Sequence, residues 1–149
     1  MQDRIEKHID LQAPLARVWR AVTDHKEFGQ WFRVKLDGPF KEGELSTGYI
    51  THPGYEHLKW NATVVAIKPE RLFSLRWCPN AIDPDVDYSN EPTTLVEFRL
   101  EPISTGTHLV ITESGFNSLP NDQRREEAFL RNTEGWAAQA ENITAHVHS

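Results

Sequence analysis

The stretch Leu109-Val110-Ile111-Thr112-Glu113 carries the most chemically interesting polar side chain of this sequence. Side chains alternate between the two faces of a strand, so Leu109, Ile111 and Glu113 share a face, and the first two belong inside. Their row takes Glu113 to the interior or to its mouth. A carboxylate turned into an apolar cavity costs several kcal/mol unless it is paired or protonated. Two readings stand side by side. In one, Glu113 orients the polar head of a ligand or acts as a base. In the other, it sits partly wet at the strand end, paired with an arginine or capping a loop. A catalytic role needs a second group within one hydrogen bond or one bridging water, and Tyr49 and His52 are the partners this sequence offers.

The remaining chemistry-bearing residues form weaker constellations. His52 and His57 flank Pro53-Gly54, but no carboxylate at metal-ligand spacing accompanies them, and they read as turn histidines. His146 and His148 fall at the end of the last helix and read as incidental. Asp83, Asp85 and Asp87 alternate as in a calcium loop, yet Pro84 interrupts them and the glycine and bidentate glutamate are missing. They read as a solvated acidic loop. Cys78 is the sole cysteine, which excludes an internal disulfide, and reads as an inert buried thiol. No His-Glu-x-x-His, Gly-x-Ser-x-Gly or phosphate-binding glycine loop is present. No metal and no cofactor is expected.

The elements that position these residues follow from periodicity. Residues 4–11 alternate loosely and predict a strand. Pro14 stands where a helix begins, with Leu15, Val18, Trp19 and Val22 at helical spacing after it. A second short helix is predicted at 25–32, with Phe28, Trp31 and Phe32 on one side. From residue 43 the period becomes two, and strands are predicted at 44–52, 57–67, 71–77, 93–101 and 107–114. Turn signals separate them: Pro53-Gly54, Lys68-Pro69-Glu70, a long loop at 79–92 and Ser104-Thr105-Gly106. Short connections between successive strands indicate an antiparallel meander.

One long helix closes the chain, starting near 118–122 and running to 147. Phe129, Thr133, Trp136, Ala140, Ile143 and Val147 share its apolar face, and Asn132, Gly135 and Gln139 form the neighbouring row. Glycine inside a helix costs about 1 kcal/mol relative to alanine, so Gly135 requires an account. Either another element packs close against its backbone, or it widens a pocket beside Trp136. On both accounts Gly135→Leu is expected to do harm. Strand parity also turns Val96, Phe98 and Leu100 one way, and Phe73, Leu75 and Trp77 a common way. For 57–67 both faces are fairly apolar, so Trp60 and Asn61 cannot be assigned to faces.

The 149 residues suit one domain over 1–149, with 38% hydrophobic and 26% charged residues. A net charge of -6 with no concentration of Lys or Arg argues against a nucleic-acid surface. No apolar run approaches membrane-spanning length, and the polar start lacks the core of a signal peptide. A cytoplasmic protein is expected.

The order strand, helix, helix, strands, long helix resembles the helix-grip fold of the START-like or SRPBCC superfamily. Residues 9–32 (IDLQAPLARVWRAVTDHKEFGQWF) resemble the family opening, and 64–77 (VVAIKPERLFSLRW) its Pro-Glu-Arg-Leu hairpin ending in Trp. Residues 109–116 (LVITESGF) and 134–136 (EGW) resemble its last-strand and final-helix signatures. Together they closely resemble the branch named for the activator of heat-shock-protein-90 ATPase, a name tied to the stress response. The resemblance implies an α+β fold: a curved antiparallel sheet around the long C-terminal helix, with two short helices after the first strand. It also implies a cavity between sheet and helix.

The function expected first is binding of a small apolar or aromatic molecule in that cavity. Its expected lining is Trp31, Phe32, Tyr49, Trp60, Trp77, Glu113, Phe116, Phe129, Asn132 and Trp136. The alternatives are a cavity enzyme of cyclase or hydrolase type using Glu113, or a chaperone-interaction module. The sequence leaves a monomer and a homodimer both open.

Overall fold

The structure, a computed structural model, describes residues 3–79, 90–119 and 123–148. Asp83, Asp85 and Asp87 lie outside the described residues. The first half of the chain forms β1 (Arg4–Leu11), α1 (Leu15–Thr23), α2 (His25–Phe32), β2 (Val34–Leu36) and β3 (Leu45–Ile50). Then come β4 (Lys59–Lys68), β5 (Leu72–Trp77), β6 (Thr94–Ile103) and β7 (Gly106–Ser114). A 3-10 turn at Phe116–Ser118 leads on to α3 (Gln123–Val147). The seven strands make one antiparallel sheet in the order β1-β7-β6-β5-β4-β3-β2. The sheet is curved, and with the long last helix it gives the α+β helix-grip architecture.

The two short helices follow from local chemistry. The carbonyl of Pro14 accepts the amides of Arg17 and Val18 and so starts α1. Asp24 ends α1 through its own N–H to Arg20 and begins α2, where its carboxylate accepts the amides of Lys26 and Glu27 at 2.9 and 3.3 Å. Such a cap contributes about 1 kcal/mol. Both helices turn their apolar sides to the core, burying Val18, Ala21, Val22, Phe28 and Trp31.

β2 is the strand that periodicity did not predict, because three residues are too few to display a period. Arg33 adopts a left-handed conformation (φ 66°) and turns the chain out of α2 into β2. Two glycines then allow β2 to come close. A Cβ on Gly29 would lie 2.4 Å from the Val34 carbonyl oxygen, and one on Gly48 would lie 2.2 Å from that of Lys35. Neither distance is tolerable.

α3 lies against β1, α1 and α2, with Ala128, Trp136, Ile143 and Val147 buried and Phe129 half-buried. The predicted stripe is therefore its packed face. Gly135 is a correction. It is exposed, and a Cβ built on it meets no atom within 4 Å, so it neither admits a neighbour nor widens a pocket. The Gly135→Leu expectation falls with it, since only the helix cost of glycine remains.

The C-terminal end of α3 is held by ion pairs as well as by the buried Ile143 and Val147. Glu27 on α2 accepts from Arg17 at 2.6 Å, Arg20 at 2.6 Å and His146 at 2.9 Å. Burial pushes the Glu27 carboxyl up, but the hydrogen bonds from His146, Arg20 and Arg17 outweigh it. They hold the group below its ordinary value of 4.5. His148 accepts the amide of Gln12 at 3.0 Å. The two terminal histidines are thus structural ties between α3, the helical pair and the end of β1, not incidental residues. The sequence hid this because their partners lie more than 100 positions away.

Candidate functional site

Glu113 is fully buried, at 0% exposure, on the inner face of β7. Its cross-strand neighbours are Ile5 and Val96, both buried and apolar, so the sheet provides no polar partner at that level. The partners come from the end of β5, the start of β6 and one face of α3. Trp77 donates its indole N–H to Oε2 at 2.7 Å, and Thr94 donates its hydroxyl to the same oxygen at 2.5 Å. Trp77 and Thr94 face each other in register, which is why they converge. From α3, Trp136 donates its indole N–H to Oε1 at 2.9 Å. Asn132, one helical turn earlier, places its amide nitrogen 3.0 Å from Oε1 and 3.1 Å from Oε2.

Every partner is a neutral donor, and an indole can only donate. The arrangement matches a carboxylate, an acceptor with about four lone-pair directions. Hydrogen bonds to a charged group contribute about 1.5–3 kcal/mol each. Glu113 therefore ties α3 to the sheet while remaining a carboxylate acceptor within a largely apolar surround.

Aromatic rings form that surround. Trp77 stacks on Trp136 at 5.6 Å and 21°, and Trp60 meets Trp77 edge-on at 5.6 Å. Phe32 contacts Trp60 at 5.2 Å and Trp136 at 6.2 Å, and Phe98 meets Trp136 at 5.8 Å. The rings touch one another, so side chains fill the space between sheet and helix here. Phe32 and Trp77 are only half-buried and form the outer edge of the group. Gln139 joins that edge, donating to the Phe32 carbonyl at 3.2 Å.

The structure brings together Phe32, Trp60, Trp77, Glu113, Asn132 and Trp136 of the residues singled out from sequence. Trp31 lies deeper, bonded to the Ala21 carbonyl at 2.8 Å and edge-on to Phe32. Phe116 and Phe129 pair with each other at 5.2 Å. The face of β4 is now assigned: Trp60 is buried, bonded to Ser46 at 3.0 Å, and Asn61 is exposed.

Tyr49 is a correction. It is 55% exposed on the outer face of β3, while its neighbour Gly48 faces inward across from Trp60. The Trp60 ring takes the inner space, and the small Ser46 and Gly48 make room for it. His52 is also exposed, 3.3 Å from an Arg33 nitrogen and beside the Tyr55 ring. Neither reaches Glu113, which lies four strands away from β3 in the sheet. The acid–base pair does not form. Cys78 is half-buried just after β5 rather than enclosed. Thr94 was missed, because what aims it at Glu113 is its register against Trp77, which the sequence does not display.

Several solved structures share the fold. Protein MLL2253 from Mesorhizobium loti matches with a TM-score of 0.76 at 22% identity, over 97% of this chain and 96% of that one. Protein CV1439 from Chromobacterium violaceum matches with a TM-score of 0.71 at 18% identity, over 99% of both chains. DynU16, from the dynemicin biosynthetic locus, matches with a TM-score of 0.76 at 19% identity. This chain is covered completely but spans only 48% of DynU16. At these identities the likeness shows the fold alone. No curated protein matches the chain significantly. The motifs, the sheet order and the helix-grip arrangement agree with a family model that covers residues 12–148, and the chain belongs to that family, described as Activator of Hsp90 ATPase homolog 1-like protein.

Proposed function

We propose that this protein binds a small apolar or aromatic molecule carrying a hydrogen-bond donor, between β4–β5 and the N-terminal half of α3, with Glu113 as the acceptor. The observation that carries this reading is the fully buried Glu113 carboxylate, held only by neutral donors within a shell of rings. The Asn132 amide, shared between both oxygens, is the bond a ligand donor replaces most easily. Entry requires the half-buried edge ring of Phe32 to turn outward, while Trp77 keeps its bond to Glu113. The body of the ligand then stacks where that ring stood, among Trp60, Trp77 and Trp136, as aromatic walls with few polar groups favour. Binding rather than turnover is the reading, because the proposed acid–base partners of Glu113 stand elsewhere. A chaperone partner rests on the family description alone.

The test is a thermal-shift and tryptophan-fluorescence screen of wild type and Glu113→Gln against aromatic amines, phenols, aromatic acids and fatty acids. Native mass spectrometry of the protein purified from its own host runs beside it. Donor-bearing aromatics are expected to stabilise the wild type and to lose at least tenfold in affinity with Glu113→Gln. Aromatic acids are expected to be rejected. If no compound binds the wild type and nothing co-purifies, Glu113 is a structural residue and the proposal fails.

A further inference from the structure

The outer face of the sheet carries a second polar constellation, on the strands that back the Glu113 site. His8 on β1 and His108 on β7 approach diagonally across the β1–β7 pair, with His8 Nδ1 3.1 Å from His108 Nε2. The other nitrogen of each ring meets a carboxylate. His8 Nε2 lies 2.7 Å from Glu6, and His108 Nδ1 lies 2.6 Å from Asp10. Glu6 also holds Arg4 at 2.8 Å.

Proton counting decides what this row can do. An ionised carboxylate only accepts, so each imidazole must give its N–H to its carboxylate. That fixes the tautomers, with the proton on Nε2 of His8 and on Nδ1 of His108. In the neutral rings the two nitrogens that face each other then both carry lone pairs. Two lone pairs at 3.1 Å need something between them: an extra proton or a metal ion.

We propose that His8 and His108 form a binding site for a divalent transition metal of the imidazole-preferring class, copper, nickel or zinc, with Glu6 and Asp10 orienting the two ligands. Imidazole nitrogens bind such ions at about 2.0–2.1 Å, and two of them 3.1 Å apart then subtend an angle of about 100° at the metal. That angle falls between square-planar and tetrahedral requirements. The rings need only turn so that the lone pairs converge, and their exposure, 52% and 26%, leaves room for it. The carboxylate behind each histidine is the arrangement that fixes tautomer and raises basicity in metal sites. Among the described residues no group of three or more His, Cys, Asp or Glu is placed to hold a metal, so the site has two protein ligands. Its other positions belong to water.

The experiment titrates the full chain with copper(II), nickel(II) and zinc(II) salts by calorimetry, and records the copper(II) electron paramagnetic resonance spectrum. One equivalent of copper is expected, with the nitrogen signature of two imidazoles. His8→Gln and His108→Gln should each weaken binding at least tenfold, whereas His52→Gln should leave it unchanged. Glu6→Gln and Asp10→Asn should keep both nitrogen ligands but bind about tenfold more weakly. Circular dichroism and thermal unfolding verify that each variant folds, as expected for surface positions. Equal affinity in wild type and His8→Gln, or the absence of saturable binding in wild type, overturns the proposal.

Discussion

Two carboxylates fasten α3, and they do so by opposite chemistry. Glu113 holds the N-terminal half of the helix through Asn132 and Trp136, with Thr94 and Trp77 as further donors and no charge among them. Glu27 holds the C-terminal end through His146, with Arg17 and Arg20 beside it. The first sits in the core and spends neutral hydrogen bonds on one buried charge. The second sits at the rim and neutralises its charge with cations. Only the first leaves an acceptor in an apolar place, which is why the ligand reading attaches to Glu113 and not to Glu27. The second makes the C-terminal end of α3 sensitive to salt, and to pH through the lowered Glu27 carboxyl.

The largest effect should come from Trp136→Ala, which removes both the stacked ring and one Glu113 donor. A loss of about 3–5 kcal/mol is expected by chemical denaturation. A loss below about 1 kcal/mol would mean that the Glu113 end contributes little to docking α3. Next, Glu113→Gln keeps one acceptor oxygen but sets an amide group against donors. It should cost about 1–3 kcal/mol, with little dependence on salt because the partners are neutral. A marked salt dependence would break the distinction between the two ends.

Glu27→Gln should cost less, about 1–2 kcal/mol at neutral pH, and the difference should shrink in high salt. Its pH dependence has a definite sign. The Glu27 carboxyl is held below its ordinary 4.5 in the fold, so its contribution is present above 4.5 and is lost as pH falls through the lower folded value. The gap between wild type and Glu27→Gln should therefore close on acidification, measured as midpoint against pH. The smallest effect is a gain. Gly135→Ala should raise stability by about 1 kcal/mol, because the position is exposed and nothing opposes a methyl group. A loss there would show that α3 meets a surface at Gly135.

Much of this molecule was legible from periodicity. Parity along 107–114 turned Glu113 inward, and the intervals of three and four between Phe129 and Val147 gave the packed stripe of α3. Both are properties of a single element, where the repeat of the backbone alone decides which side chains share a face. The same reasoning failed wherever an element was too short or its faces were alike. β2 has three residues, and β3 presents Leu45 and Tyr49 to solvent while Ser46 and Gly48 face inward. Placing Tyr49 in the expected lining therefore put it on the wrong side of β3.

By itself, then, the sequence determined the order of the elements apart from β2, the inward turn of Glu113 and the docking face of α3. The partners were decided by tertiary structure. Trp77, Thr94, Asn132 and Trp136 lie 19 to 36 positions from Glu113, and His146 lies 119 from Glu27. Periodicity says which residues of an element look the same way. Only strand register and helix docking say what they look at, and those are set by the packing of the whole sheet against its helices.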